Sequence, residues 1–177
     1  MISVLYAEVS LPATTEPSRA SRFAVFVASF ACVGYFPVAP GTAGSLAALA
    51  LFAIVQSQGS AFAMIAVTIV VLLLGTWSAG RAEAHFGVVD PGPVVIDEVA
   101  GMLISLALLP ISVPVVFAGF ILFRFFDIVK PWPARRLERL HGGVGVMADD
   151  AMCGIYANLA IRAGLWLLEG QHVHPQV

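Results

Sequence analysis

The sequence predicts an all-α fold, a polytopic helical membrane protein built of helical hairpins. Three observations carry that expectation. Of the 177 residues, 59% are hydrophobic and 11% charged, and the mean hydropathy is +0.92, whereas an average soluble domain is roughly one-quarter charged. Apolar stretches are separated alternately by short uncharged breaks and by longer breaks that hold nearly all the polar groups. If the short breaks lie on one side of a bilayer, Arg19, Arg22, Arg81, Arg124, Lys130, Arg135, Arg136 and Arg139 fall on or near the other, leaving Arg162 elsewhere. By the positive-inside rule the basic side is cytoplasmic.

A chain of this length suits one domain. Residues 1–20 are expected to form a polar N-terminal tail, 21–170 a single helical membrane domain and 171–177 a C-terminal tail. With Glu8 and Glu16 and no basic stretch leading into an apolar run, the N-terminus is not expected to be a cleaved signal peptide. A net charge of −2 and a pI near 6.0 argue against nucleic acid as a partner. Cys32 and Cys153 lack metal-ligand or redox spacing and are expected to be packing residues.

In chain order the apolar segments are Phe23 to Tyr35, Ser45 to Val55, Ala61 to Trp77, Val99 to Leu109, Val115 to Phe126 and Ala151 to Leu168. Gln56-Ser57-Gln58-Gly59-Ser60 and Pro110-Ile111-Ser112-Val113-Pro114 are the short breaks, where glycine or proline interrupts helix. Pro37 to Ser45, Gly80 to Glu98 and Lys130 to Asp150 are the long ones. Several segments are shorter than the ~20 residues of a full span. Phe23 to Tyr35 in particular is expected to lie in the interface, or to dip in and return.

Five acidic residues are concentrated where long breaks meet apolar segments: Asp97 with Glu98, Asp127, and Asp149 with Asp150. Carboxylates near a bilayer are costly unless solvated, paired or metal-bound, and hard cations such as Mg²⁺ prefer carboxylate oxygen. Spacing leaves a second reading open, in which Asp97, Glu98, Asp149 and Asp150 favour helix N-termini electrostatically. Arg124 and Asp127, three apart, share a helix face, with Lys130 further round before Pro131 and Pro133 end the helix. A carboxylate beside two cations suits phosphate binding; an ion pair at the membrane surface is the plainer reading. Arg135, Arg136 and Arg139 are expected to meet lipid headgroups. Thr42 or Ser45 could cap the helix that follows Pro40-Gly41, and that turn could also present N–H groups to an anion. His141, before Gly142-Gly143, could act as an acid, support the site or be an ordinary loop residue.

Together these motifs resemble the phosphatidylglycerophosphatase A family. The resemblance rests on Pro40-Gly41-Thr42 with Gly44-Ser45-Leu46, on Val95-Ile96-Asp97-Glu98 with Gly101-Met102, on Phe123-Arg124 through Asp127 to Lys130-Pro131-Trp132-Pro133, and on His141-Gly142-Gly143 through Gly145 to Asp149-Asp150. It spans roughly residues 34–160 and departs slightly at Ile96, where an aromatic residue is familiar. It implies a multi-pass enzyme of the bacterial inner membrane, its active site facing the cytoplasm, that uses Mg²⁺ to hydrolyse the phosphate monoester of phosphatidylglycerophosphate. Carried over, Asp97, Glu98, Asp127, Asp149 and Asp150 become catalytic and metal-site candidates, and Arg124, Lys130, Thr42 and His141 substrate-binding candidates.

Competing classes are weaker. A metal-free histidine phosphatase would need an aspartate where Gly145 stands and a Ser-Gly-His that is missing; a phosphatidyl transferase would need an Asp-Gly-x-x-Ala-Arg arrangement, also missing. The main alternative is a helical membrane transporter or ion-binding protein using the same carboxylates, whose ionisable groups would sit near mid-helix.

Overall fold

A computed structural model describes residues 19–171. The tails expected over 1–20 and 171–177 lie, apart from Arg19, Ala20 and Gln171, outside the described residues. Those residues form α-helices and one 3₁₀ turn, with no strand among them.

The first helix, α1 (Arg19–Ala28), is short, and Phe30, Ala31 and Cys32 follow with φ of 45°, 54° and 72°. These left-handed residues fold the chain back into the 3₁₀ turn Val33–Tyr35, where Gly34 N–H donates to Ser29 O at 3.0 Å. The Phe23 to Tyr35 segment is therefore the last six residues of α1 followed by a turn back, too short to span. Cys32 sits exposed in this turn, which corrects its expected packing role, whereas Cys153 is buried as expected.

Helix α2 (Pro40–Gln56) begins earlier than its apolar run because proline is preformed for a first helical turn. Neither Thr42 nor Ser45 caps it: the N-cap is Ala39, left-handed and without a side-chain bond, and Ser45 Oγ donates instead to Gly41 O at 2.9 Å. Ser60 caps α3 (Ala61–Phe86), accepting from Ala63 N–H at 3.2 Å, and Gly87 at φ 69° ends it. The α3 helix thus runs on past Trp77 through Arg81 and Glu83, a stretch whose polar composition suggests a break. Ser112 caps α5 (Val113–Val129), and left-handed Lys130, followed by Pro131, ends it.

After the short α6 (Ala134–Leu137), α7 (Gly143–Gln171) starts well before its apolar run. Asp149 and Asp150 therefore lie inside a helix and not in a preceding loop. Gly142 turns with φ 73°, and a side chain on Gly143 would collide with Thr76 O of α3, so the glycines of this motif seat α7 on α3.

Among the described residues, α3 and α7 are the helices long and apolar enough to cross a membrane. At 1.5 Å per residue they measure about 39 and 43 Å, more than the ~30 Å hydrocarbon core. Their outer faces are apolar and open, as at Phe62, Leu73, Leu159 and Trp166. That is the surface a lipid solvent requires.

Helix α4 (Ile96–Leu106) is the centre of the bundle, packed by α2, α3, α5 and α7 and buried along almost its whole length. It crosses α7 at Gly101 and Gly154, where any Cβ on Gly154 would strike Gly101 O. At ~16 Å α4 is too short to traverse a bilayer, so its last carbonyls end inside the apolar mass. Asn158 Nδ2 of α7 lies 3.1, 3.2 and 2.9 Å from the carbonyl oxygens of Ile104, Ser105 and Ala107. Arg162 Nη2 donates to Ala107 O at 3.2 Å and Leu108 O at 3.1 Å, and its Nε to Asn158 Oδ1 at 2.7 Å. A cation at a helix C-terminus also opposes the helix dipole.

Candidate active site

The opposite end of α4 meets the ends of three other helices. Asp97 and Glu98 stand in the first turn of α4, Arg124, Asp127 and Lys130 at the C-terminal end of α5, and Asp149 and Asp150 in the second turn of α7. The N-terminus of α2 closes the group: a side chain on Gly41 would collide with Glu98 Oε1 and stand 3.2 Å from Arg124 Nη1. Glycine at this position lets the α2 backbone approach both charged groups.

The five carboxylates do not form one cluster. Asp97, Glu98 and Asp150 each place one oxygen within 4.8 Å of the others. Asp127 lies beside this group but is drawn to Arg124, its Oδ2 being 2.8 Å from Nη1. Asp149 points elsewhere: Lys130 Nζ donates to its Oδ2 at 2.6 Å and to Glu138 Oε1 at 3.3 Å. Adjacent residues on a helix point about 100° apart, which is why Asp149 and Asp150 serve different neighbours.

Asp97, Asp149 and Asp150 are 7%, 4% and 3% exposed. Buried polar atoms are normally hydrogen-bonded, yet Asp97 Oδ1, Glu98 Oε2, Asp149 Oδ1, Asp150 Oδ2 and Arg124 Nη1 have no hydrogen-bond partner. The Arg124–Asp127 contact is an ion pair by distance, and the guanidinium N–H is not aligned for a hydrogen bond. Holding three carboxylates this close without a cation is strongly unfavourable. The donor set is what a hard divalent cation takes, carboxylate oxygen with room left for water, so these residues fit such an ion. Burial works against the charge on Lys130, but the hydrogen bond and charge of Asp149 outweigh it and raise its pKa, keeping a full positive charge beside the acids.

Comparison with known proteins agrees with this geometry. The family model described as Phosphatidylglycerophosphatase A matches residues 26–165. The chain belongs to that family. It is thereby a phosphatase. Two curated relatives bear the family's name: one from Haemophilus influenzae is 41% identical over 76% of this chain and 85% of its own length, and one from Escherichia coli is 36% identical over 78% of each. A relative from Bacteroides thetaiotaomicron, provisionally named a phosphatidylinositol-3-phosphatase, is 38% identical over 76% of this chain and 89% of its own. No solved structure matches the chain.

The four phosphatidylglycerophosphatase A motifs of the sequence sit at four helix ends, and three of them supply charge: Asp-Glu on α4, Arg124 to Lys130 on α5, and Asp-Asp on α7. Thr42, in the first turn of α2, is partly buried next to Gly41; His141 is exposed in the turn before α7.

Sequence reasoning passed over Asp90. It lies in the loop between α3 and α4, its N–H donating to Glu83 Oε1 at 3.1 Å, and with Glu138 and Asp149 it lines a cavity of about 290 Å³. Although part of Asp90 meets solvent, crowding strips water from its carboxyl, Glu98 adds like charge, and despite Lys130 its pKa is pushed up to about 6. A lone acid in a Pro/Gly loop carries no pattern; its position before the Asp-Glu motif was the one available hint.

Proposed function

We propose that this chain is a Mg²⁺-dependent phosphatase that hydrolyses the phosphate monoester of phosphatidylglycerophosphate to phosphatidylglycerol and inorganic phosphate. In this reading it is a multi-pass protein of the bacterial inner membrane with its site facing the cytoplasm. The observation that carries the reading is the set of unpartnered buried oxygens on Asp97, Glu98 and Asp150 next to Arg124. The orientation is supported by charge: the exposed Arg81 stands in the C-terminal part of α3, and Arg135, Arg136 and Arg139 follow α5, on the site's side, whereas Arg162 is committed to the far end of α4.

Asp97, Glu98 and Asp150 would hold the ion, and Mg²⁺ there would supply charge neutralisation and acidify a nearby water. Arg124 grips two phosphate oxygens with its planar fork, and Asp127 fixes the guanidinium. Lys130, steadied by Asp149, adds a compact positive charge on the developing anion. Gly41 and Thr42 offer first-turn N–H groups to the same phosphate, since no side chain caps α2. His141, exposed at this end, is assigned to the substrate-binding set. A water oxygen attacks phosphorus as the bond to the glycerol oxygen breaks; of the water's two protons one stays on the released phosphate and the other replaces phosphorus on the leaving glycerol oxygen, so that the alcohol and hydrogen phosphate are the products. Water is preferred to a carboxylate nucleophile because Asp127, the acid beside the tight group, is already paired with Arg124.

The test is phosphate release by the purified, detergent-solubilised protein from phosphatidylglycerophosphate, phosphatidic acid and phosphatidylinositol 3-phosphate, with Mg²⁺ and with EDTA. Release mainly from the first lipid and only with Mg²⁺ is expected. Release that survives EDTA removes the metal, preference for the inositol lipid changes the substrate, and no release returns the transport or ion-binding reading.

A further inference from the structure

Helices α2 and α5 both pack on α4 but scarcely on each other. At the polar end they converge where Gly41 meets Arg124. Below that point they leave a groove of about 600 Å³ lined by Leu46 and Leu49 of α2 and Val113, Val116, Phe117 and Phe120 of α5. Its side is open: Leu46, Phe117 and Val113 are 53%, 67% and 84% exposed.

The walls of the groove continue the site. With 100° per residue, Leu46 and Leu49 fall within about 40° of the Thr42 direction on α2, and Phe120, Phe117 and Val113 within about 40° of Arg124 on α5. From Arg124 to Val113 the rise is about 16 Å, close to half of the ~30 Å hydrocarbon core. A path that opens one turn below a phosphate-binding arginine, is apolar but for Ser112 at its far end and, counted from that arginine, is one leaflet deep has the dimensions of a single acyl chain.

We infer that the α2–α5 groove holds one acyl chain of the phosphorylated lipid whose phosphate lies at Arg124. This rests on the reading of that site given above and adds where the lipid's tail goes. Tail and headgroup then enter together, sideways from the bilayer. Because a lipid tail gains little hydrophobic free energy on leaving one apolar medium for another, the groove acts through packing and alignment. It sets how the phosphate is presented more than how tightly the lipid adheres.

A phosphatidylglycerophosphate analogue with a diazirine at mid-chain, photolysed on the full-length protein in nanodiscs, tests this directly. Labelling concentrated on the α2 and α5 segments containing Leu46 and Phe117, and displaced by unlabelled substrate, is the expected result. A phosphatidylcholine analogue carrying the same chain should label the outer faces of α3 and α7 as well. Diffuse labelling by both lipids overturns the groove. In parallel, Leu46→Trp and Val116→Trp, which fill the groove, are expected to lower kcat/KM about ten-fold for a long-chain substrate and less than about two-fold for a monomeric short-chain one; Leu73→Trp on the outer face of α3 serves as control. Equal losses on both substrates overturn the proposal. Turnover with diffuse labelling removes the groove alone, and focused labelling without turnover removes the hydrolytic reading while leaving the groove.

Discussion

The two ends of α4 are built on opposite terms. At the C-terminal end the carbonyls left over where the helix stops are met by Asn158 and Arg162, which also bond each other. At the N-terminal end, a few turns away, Asp97 Oδ1, Glu98 Oε2, Asp150 Oδ2 and Arg124 Nη1 are buried and left unpartnered. One helix thus has a satisfied end and a needy one. Satisfied groups hold a fold in place; buried groups short of a partner raise the energy of the empty protein and mark where a ligand restores the balance. The contrast separates what α4 contributes to stability from what it contributes to chemistry.

That separation can be broken by mutation. The largest expected effect is at the needy end: Asp97→Asn or Asp150→Asn should lower Mg²⁺-dependent phosphate release by on the order of 100- to 1,000-fold. In EDTA the same variants should unfold at a temperature equal to or above wild type, because one of several crowded like charges has gone. Normal turnover in either would remove that residue from the site. Next, Arg124→Lys keeps the charge but loses the fork, and KM should rise about ten-fold with a smaller change in kcat. An unchanged KM would leave the guanidinium as a mere partner for Asp127.

At the satisfied end the signs reverse. Asn158→Ala should destabilise the protein by about 1 kcal/mol, since Ser105 O loses its side-chain donor while Ile104 O keeps Ala107 N–H and Ala107 O keeps Arg162, and kcat per folded molecule should stay within about two-fold. A collapse of kcat with unchanged thermal stability would show that the two ends are not separable. The smallest effect concerns pH. The Asp90 carboxyl is raised from 3.8 to about 6 in the folded protein, so between those values the folded state holds a proton that the unfolded chain releases. Its contribution to stability is complete below about pH 4 and lost as pH rises through about 6. In EDTA, the fall in melting temperature from pH 4 to pH 7 should therefore be shallower in Asp90→Asn than in wild type; an equal slope would mean that Asp90 does not titrate there.

Much of this was legible beforehand, for identifiable reasons. Helical character follows from apolar runs of helical length, and family membership from motifs that keep their order. Boundaries were less legible where composition and packing disagree. The Gly142-Gly143 pair is loop-like by composition, but Gly143 is needed for α7 to touch α3 at Thr76, so the helix starts there. The polar end of α3 stays helical because α1 lies along it, with Ser21 Oγ 2.9 Å from His85 Nδ1 and Phe23 6.2 Å from Trp77, ring to ring. Arg162 stood out only as the basic residue on the wrong side; apart from Asn158, one turn earlier, its partners are backbone oxygens fifty-odd residues away in the chain that no side-chain pattern reveals.

By itself the sequence determined that this chain is helical, that it is too apolar for water alone, and which charged groups it has available at its helix ends. Those are local properties, fixed by composition and spacing. The tertiary structure decided how the acids are divided: Asp150 with Asp97 and Glu98, Asp149 with Lys130, Asp127 with Arg124. That division depends on where α4 and α7 cross, at Gly101 and Gly154, and on the 100° turn between neighbouring helical residues. A crossing point joins residues some fifty positions apart, and its register is set by packing between surfaces that the linear sequence does not bring face to face.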